Sequence, residues 1–348
     1  MKCTDKRKNR GRRRRRRKNS SGKKLGLSII VIALLAVSGL IYVNHTKEYQ
    51  EVVRVYESNT YNTSVYTGRS LTTGYCITDT DVDFDGEPDG YDFTGAAIFD
   101  VDNSKVLYAN NVFEQLYPAS TTKILTALLA IENGNLSDVV TVPAETAADA
   151  FAADESTCGL QEGDQLTLED LMYGMLLESG NDNAATIAYY IAGSTSEFAD
   201  MMNERAAKLY ATNSHFVNSN GLHDKSHYTT VYDLYLIFNE CIKHQEFLDI
   251  INTESYTVTI TNADGSTRTD EWIPSNWYQS GLVDTPENMT VVGGKTGTTD
   301  EAGSCLILLV KDESDHSYIT IVMGASTKSI LYNDMTTMIE AIPTLTTN

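Results

Sequence analysis

Three short segments place nucleophilic, basic and amide groups at spacings that could do chemistry. In Pro118-Ala119-Ser120-Thr121-Thr122-Lys123, followed by the apolar run Ile124-Leu-Thr-Ala-Leu-Leu, Ser120 and Lys123 stand three residues apart. At the start of a helix that spacing puts both side chains on one face. A serine hydroxyl is a weak nucleophile until a neighbouring base takes its proton, and a buried lysine with a lowered pKa can be that base. In Leu176-Leu-Glu-Ser179-Gly180-Asn181, a polar turn between two helical stretches, Ser179 could relay a proton and Asn181 could hydrogen-bond a substrate amide. In Val291-Val-Gly-Gly-Lys295-Thr296-Gly297-Thr298, at the end of a strand, Lys295 offers a positive charge and Thr296 and Thr298 offer hydroxyls. Gly297 there lets another backbone come close. Taken singly, each segment has an ordinary alternative: a helix cap, a helix connection, a strand turn.

A fourth segment is acidic. Asp81, Asp83 and Asp85 alternate, Gly86 stands sixth, and Glu87, Asp89 and Asp92 follow. Alternate carboxylates that converge on one hard cation, with Gly at the sharp turn, are the spacing of a calcium loop. Two features depart from it: the twelfth position is Asp rather than the longer Glu, and no amphipathic helices flank the segment. The alternative is a solvated acidic linker. His223 and His227 stand four apart, but Gly221 precedes them and no H-E-x-x-H acid accompanies them, so a loop role is expected and no zinc.

The elements that must position these groups follow from periodicity. Ala96–Val101 and Val106–Tyr108 read as a hairpin. Ile124–Glu132, Leu234–Ile242 and long stretches of Leu168–Ala192 read as helices, and Ile330–Ile342 as a closing helix. Thr257–Thr261, Val291–Val292, Leu306–Val310 and Ile319–Met323 are strand-like. Strands at both ends of a helical middle imply one antiparallel sheet built from the two ends, with helices on its faces: an α/β chain of the α+β kind. Trp272, Pro274 and Trp277 either line a cleft before the third motif or pack beside it.

Charge divides the 348-residue chain. Its net charge is -20, yet residues 1–24 hold 14 of the 27 Lys and Arg and one acid, Asp5, a balance of +13. The remaining 324 residues carry 13 bases against 46 acids, or -33. A body that acidic repels phosphate backbones, which excludes nucleic acid as a partner of the folded part. Leu25–Val43 is an uncharged run of 19 residues, about 28 Å as a helix, long enough to cross a bilayer. With a basic flank it is expected to be a membrane anchor with a cytoplasmic N-terminus and an extracytoplasmic body. A cleaved signal peptide ending near Ala36-Val37-Ser38 is the other reading, which would release the protein. The expected organisation is a basic tail over 1–24, the span over 25–43, a Thr/Tyr/Ser/Asn-rich stalk over 44–78, the acidic segment over 79–92, a domain over 93–342 and a tail over 343–348. Cys76, Cys158, Cys241 and Cys305 are widely scattered and show no metal or redox spacing; Cys305 reads as a small buried hydrophobe.

Together and in this order, S-x-x-K, S-x-N and K-T-G are the signature of penicillin-recognising serine enzymes. From Phe93 to Ile342 the chain resembles the serine D-Ala-D-Ala carboxypeptidases of the low-molecular-mass penicillin-binding proteins, in Pro118–Lys123, Ser179–Asp182, Gly294–Thr299 and also Asn218–Leu222 with His227–Thr230. That resemblance implies a five-stranded antiparallel sheet beside a helical subdomain, as in β-lactamases and transpeptidases. It implies Ser120 as nucleophile, Lys123 as general base and Ser179 as proton relay, with Asn181, Lys295, Thr296, Gly297 and Thr298 holding substrate. The oxyanion hole would be the backbone N–H groups of Ser120 and Thr298. The implied partners are peptidoglycan stem peptides ending in D-Ala-D-Ala and β-lactams as inhibitors, with no required cofactor. A D,D-endopeptidase has the same site. A class A β-lactamase needs a Glu-x-x-Leu-Asn string that is absent between Asn181 and Lys295, and a receptor would be acylated without turnover. This sequence ends soon after the closing helix, where many relatives continue into a β-rich module and an amphipathic membrane helix, so the N-terminal segment is expected to supply attachment.

Overall fold

A computed structural model of the chain describes residues 74–89 and 92–347, with Leu35 and Ser38 as isolated positions. The basic head, the expected span apart from those two positions, and most of the stalk lie outside the described residues. No helix among the described residues is long and apolar enough to cross a membrane.

The chain forms β1 (Gly95–Asp100) and β2 (Lys105–Asn110) before α1 (Lys123–Asn133). Two short strands, β3 (Val139–Thr141) and β4 (Gln165–Thr167), precede α2 (Leu168–Leu177), α3 (Asn181–Ala192), α4 (Thr195–Lys208), α5 (Val231–Cys241) and α6 (Gln245–Ile251). Then come β5 (Tyr256–Thr261), β6 (Thr267–Trp272), β7 (Met289–Thr299), β8 (Gly303–Asp312), β9 (Ser317–Ala325) and α7 (Lys328–Thr346). The main sheet has the order β2-β1-β9-β8-β7, all antiparallel, so it is assembled from both ends of the domain as expected.

The period of two explains its place. Cys305, Ile307 and Leu309 of β8 and Ile319, Ile321 and Met323 of β9 pack on the helical body. Leu306, Leu308 and Val310, with Tyr318 and Val322, face α7 instead. A sheet buried on both faces reads as unbroken apolar runs, which is why these strands were legible. On the α7 side, Leu331, Met335, Met338, Ile339 and Ile342 recur at helical spacing. In the helical body α1 is buried from Lys123 to Ala130, so it is the central helix and apolar nearly all round. Side chains start its neighbours: Thr167 and Asp170 form a capping box on α2, and Thr230 caps α5 through Asp233 N–H.

Two expectations change, and an open alternative is decided. Thr257–Thr261 is β5 and belongs to a second sheet, β3-β4-β5-β6, rather than to the main one. The K-T-G segment lies inside the 11-residue β7 and not at a strand end; its glycines lack strand propensity, and the ladder to β8 imposes the conformation. Trp272 is buried on β6 and Trp277 stacks on Tyr332 at 4.6 Å, so both pack rather than line the cleft. The folded body also begins earlier than Phe93. Cys76 is fully buried, its N–H donates to Tyr235 Oη at 2.8 Å, and its carbonyl accepts from Tyr232 Oη at 2.8 Å. The four described cysteines are free thiols, and Cys305 is buried as expected.

Candidate active site

Ser120 sits in a 3-10 turn, Ala119–Thr122, that runs straight into α1. The turn is strained, because Ala119 is a non-glycine residue at φ 47°. Two glycines hold it in place. A Cβ on Gly221, which has φ +88°, would lie 1.8 Å from Ala119 O; one on Gly297 would lie 3.0 Å from Ser120 N and Pro118 O. Gly297 therefore does let β7 approach the nucleophile turn, as its place in the motif implied.

One turn on, Lys123 is fully buried and its Nζ has three partners: Ser120 Oγ at 2.9 Å, Asn181 Oδ1 at 2.7 Å and Asn220 O at 2.7 Å. Burial, and then the charge of Lys295, push the Lys123 amine well below the ordinary lysine range. A neutral amine can keep two of these contacts as donor and turn its lone pair to the third. Since Asn181 Oδ1 and Asn220 O can only accept, the lone pair goes to the Ser120 hydroxyl, the geometry of a base beside a nucleophile.

On the other side Ser179 has φ 64°, in the sharp break between α2 and α3. Lys295 Nζ donates to Ser179 Oγ at 3.0 Å and to Thr296 O at 2.9 Å. Lys295 is 1% exposed, and burial followed by the charge of Lys328 lowers its pKa to about 7. Thr296 Oγ1 is 2.8 Å from Ser275 Oγ. A cleft of about 400 Å³ is lined by Ser120, Asn181, Gly221 and Thr298, with Asp154, Glu155, Asp300 and Glu301 among its walls. Lys295, three residues before Thr298 on β7, is the buried amine that can carry positive charge against these acidic walls, while Lys123 serves as the neutral base.

All eight expected site residues come together here. The sequence reading missed the groups that hold them. Asn220 contributes its backbone carbonyl, which leaves no side-chain signature. Asp182 is fully buried and its carboxylate accepts N–H from Cys158, Leu160 and Asn183, each at 3.0 Å, while Asn181 N–H donates to Ser156 O at 2.8 Å. These contacts fix the 156–160 segment to the start of α3.

His227 holds the opposite side. Val217 N–H donates to its Nδ1 at 3.1 Å, so Nε2 carries the proton and donates to Thr122 Oγ1 at 2.8 Å. The ring is 2% exposed, and burial lowers its pKa to about 4 from 6.5. Because the unfolded chain binds this proton more readily, stability should fall as pH drops from about 6.5 towards 4, by on the order of 3 kcal/mol. Urea midpoints at pH 7 and pH 4.5 test this: the loss should be smaller in His227→Gln, and an equal loss in both proteins would contradict it. His223 instead faces Tyr117 and lies 3.8 Å from Glu301, and neither histidine is in a metal-like group.

The chain is 31% identical over 255 residues to the D-alanyl-D-alanine carboxypeptidase DacF of Bacillus subtilis, spanning 70% of this chain and 60% of that protein. It is 32% identical over 243 residues to the D-alanyl-D-alanine carboxypeptidase DacD of Escherichia coli, spanning 66% and 57%. The match thus spans somewhat under two thirds of these relatives. A crystal structure of a Streptomyces DD-transpeptidase superposes with a TM-score of 0.65 at 27% identity, covering 71% of this chain and 96% of that one. Residues 86–327 match the family described as D-alanyl-D-alanine carboxypeptidase, and the chain belongs to that family.

Proposed function

We propose that the protein is a serine D-Ala-D-Ala carboxypeptidase that removes the terminal D-Ala from peptidoglycan stem peptides. The observation that carries this reading is the fully buried Lys123 amine 2.9 Å from Ser120 Oγ, with its other two contacts taken by acceptors. Ser120 Oγ attacks the carbonyl carbon of the penultimate D-Ala while Lys123 takes the hydroxyl proton. N–H groups of Ser120 and Thr298 receive the developing oxyanion. Ser179 passes a proton to the leaving nitrogen, the C–N bond breaks and D-Ala departs. Water then cleaves the ester, with a proton again taken up by Lys123, and Ser120 is regenerated. Lys295, Thr296 and Thr298 hold the substrate's terminal carboxylate, Gly297 keeps β7 close, and Asn181 bonds the peptide amide. β-Lactams enter the same site and leave slowly as acyl-enzymes.

Incubation with a pentapeptide ending in D-Ala-D-Ala tests this directly. Release of D-Ala that disappears in Ser120→Ala supports it; acylation by fluorescent penicillin without D-Ala release would make the protein a receptor. The basic head and residues 25–43 support an extracytoplasmic domain tethered by one N-terminal span. Mass spectrometry of the mature chain distinguishes a retained Met1 end from a cleaved leader.

Lys295 adds a pH signature. Its pKa of about 7 means that the charge that receives the substrate carboxylate is lost as pH rises through 7. KM for the peptide should rise about tenfold between pH 6 and 8, with a smaller change in kcat because a bound carboxylate restores the charge. Lys295→Arg, which stays charged, should flatten this rise; a KM in the native enzyme that does not vary over this range would count against the assignment.

A further inference from the structure

Between β6 and β7 the chain runs through residues 273–288 without a helix or strand, and the first part of this segment is pinned on three sides. Ile273 N–H donates to Glu178 Oε1 at 2.9 Å and Ser275 N–H donates to Leu177 O at 3.0 Å, which ties the segment to the end of α2, immediately before Ser179. Gln279 Nε2 donates to Ile251 O at 2.6 Å, at the end of α6. Trp277 N–H donates to Tyr332 Oη of α7 at 2.9 Å. The backbone of Ser275 is therefore fixed by contacts that its own hydroxyl does not make.

That hydroxyl meets the K-T-G segment. Ser275 is exposed, and its Oγ lies 2.8 Å from Thr296 Oγ1, its one side-chain hydrogen-bond partner among the described residues. Thr296 is half-buried, and its carbonyl is already taken by Lys295 Nζ at 2.9 Å. The Thr296 hydroxyl carries a single proton, and a carboxylate only accepts, so Thr296 holds a carboxylate by giving that proton to it. With the proton so committed, the 2.8 Å contact persists only if Ser275 supplies its own. In the opposite arrangement, with Thr296 donating to Ser275, no Thr296 proton is left for the substrate.

We propose that Ser275 is a positioning residue for the substrate's terminal carboxylate: its hydroxyl donates to Thr296 Oγ1 and so turns the Thr296 proton towards that carboxylate. This rests on the carboxylate-binding role given to Thr296 above. Chained donors polarise one another, so the end of the chain binds an anion more strongly than a lone hydroxyl does. Ser275 also joins two parts of the site, because its N–H holds the end of α2 that leads into Ser179 while its hydroxyl holds β7. The arrangement favours a free chain end, since an amidated or extended C-terminus offers no anion to receive the proton.

The test compares a pentapeptide ending in D-Ala-D-Ala with the same peptide ending in D-alaninamide, using the full-length chain and its variants. Ser275→Ala should raise KM for the acid about fivefold to tenfold, lower kcat by less than about twofold and leave the amide unaffected. Ser275→Thr, which keeps the hydroxyl, should bring KM for the acid back to within about twofold of the native value. In a Thr296→Val background, Ser275→Ala should add nothing, because the proton it orients is gone. Equal losses for acid and amide, or an effect that multiplies that of Thr296→Val, would reduce Ser275 to a structural strap and overturn the proposal. A native enzyme that turns over acid and amide alike would overturn the carboxylate role of Thr296 as well. Acylation by a penicillin and by its methyl ester repeats the comparison without D-Ala release, so failure of the hydrolase reading is separated from failure of this one.

Discussion

Lys123→Met should slow acylation by β-lactam and by D,D-peptide about 10³-fold and leave the protein folded. Methionine occupies a similar volume and removes the amine that lies against Ser120, Asn181 and Asn220. Losing that donor strands Asn181 Oδ1 and Asn220 O, a destabilisation of about 1–3 kcal/mol, but it also removes an amine whose burial already opposes its charge. The two effects have opposite signs, so Tm should move little while the rate collapses. Lys123→Arg separates charge from basicity. A guanidinium keeps positive charge and donors but does not give up its proton near neutral pH, so this variant should be as slow as Lys123→Met. Stopped-flow acylation with a fluorescent penicillin measures both; an active Lys123→Arg would remove Lys123 from the role of base.

The second large effect is expected at Gly221, which touches no substrate in the proposed mechanism. A methyl group there would lie 1.8 Å from Ala119 O, on a backbone at φ +88° that side chains rarely adopt. Either the nucleophile turn or the 218–222 segment must move. That segment is tightly bonded within itself: Asn218 Oδ1 accepts Gly221 N–H at 2.7 Å, and Asn220 Oδ1 accepts Leu222 N–H at 3.1 Å. Gly221→Ala should therefore cost about 3 kcal/mol or more in stability and also separate Lys123 from the Asn220 carbonyl. Urea unfolding and penicillin acylation on the same preparation should fall together. A variant with native stability and native acylation would show that the close approach carries no weight.

How much was legible depended on where the information was stored. The S-x-x-K pair was legible because a helix start fixes which side chains share a face, and the turn at Ser179 because polar residues interrupt two apolar periods. Strands β8 and β9 were legible as continuous apolar runs. The short strands β3 and β4 carry too few residues for a period to register, and β6, Thr-Arg-Thr-Asp-Glu-Trp, is mostly polar because much of its surface is open. Helix α4 escaped notice because only Phe198, Ala199, Met202 and Ala206 of its 14 residues are buried. The body's reach back to Cys76 was hidden because it is held by tyrosine hydroxyls from α5 rather than by an apolar pattern.

The main sheet joins the first two strands of the domain to its last three, and the site takes Lys295 from β7 of that sheet and Lys123 from α1 of the helical body. Lys295 and Ser179 alone are 116 residues apart in the chain. Such contacts form only after long loops have closed, which makes them slow steps in folding. Reactivity at Ser120 is therefore a clock for the completed fold. During refolding from urea, helical signal should return first and penicillin acylation only with the last phase. A chain stopped before β7 has been made would contain Ser120 and Lys123 but no working enzyme, which keeps an activated serine from appearing before the protein that governs it is whole.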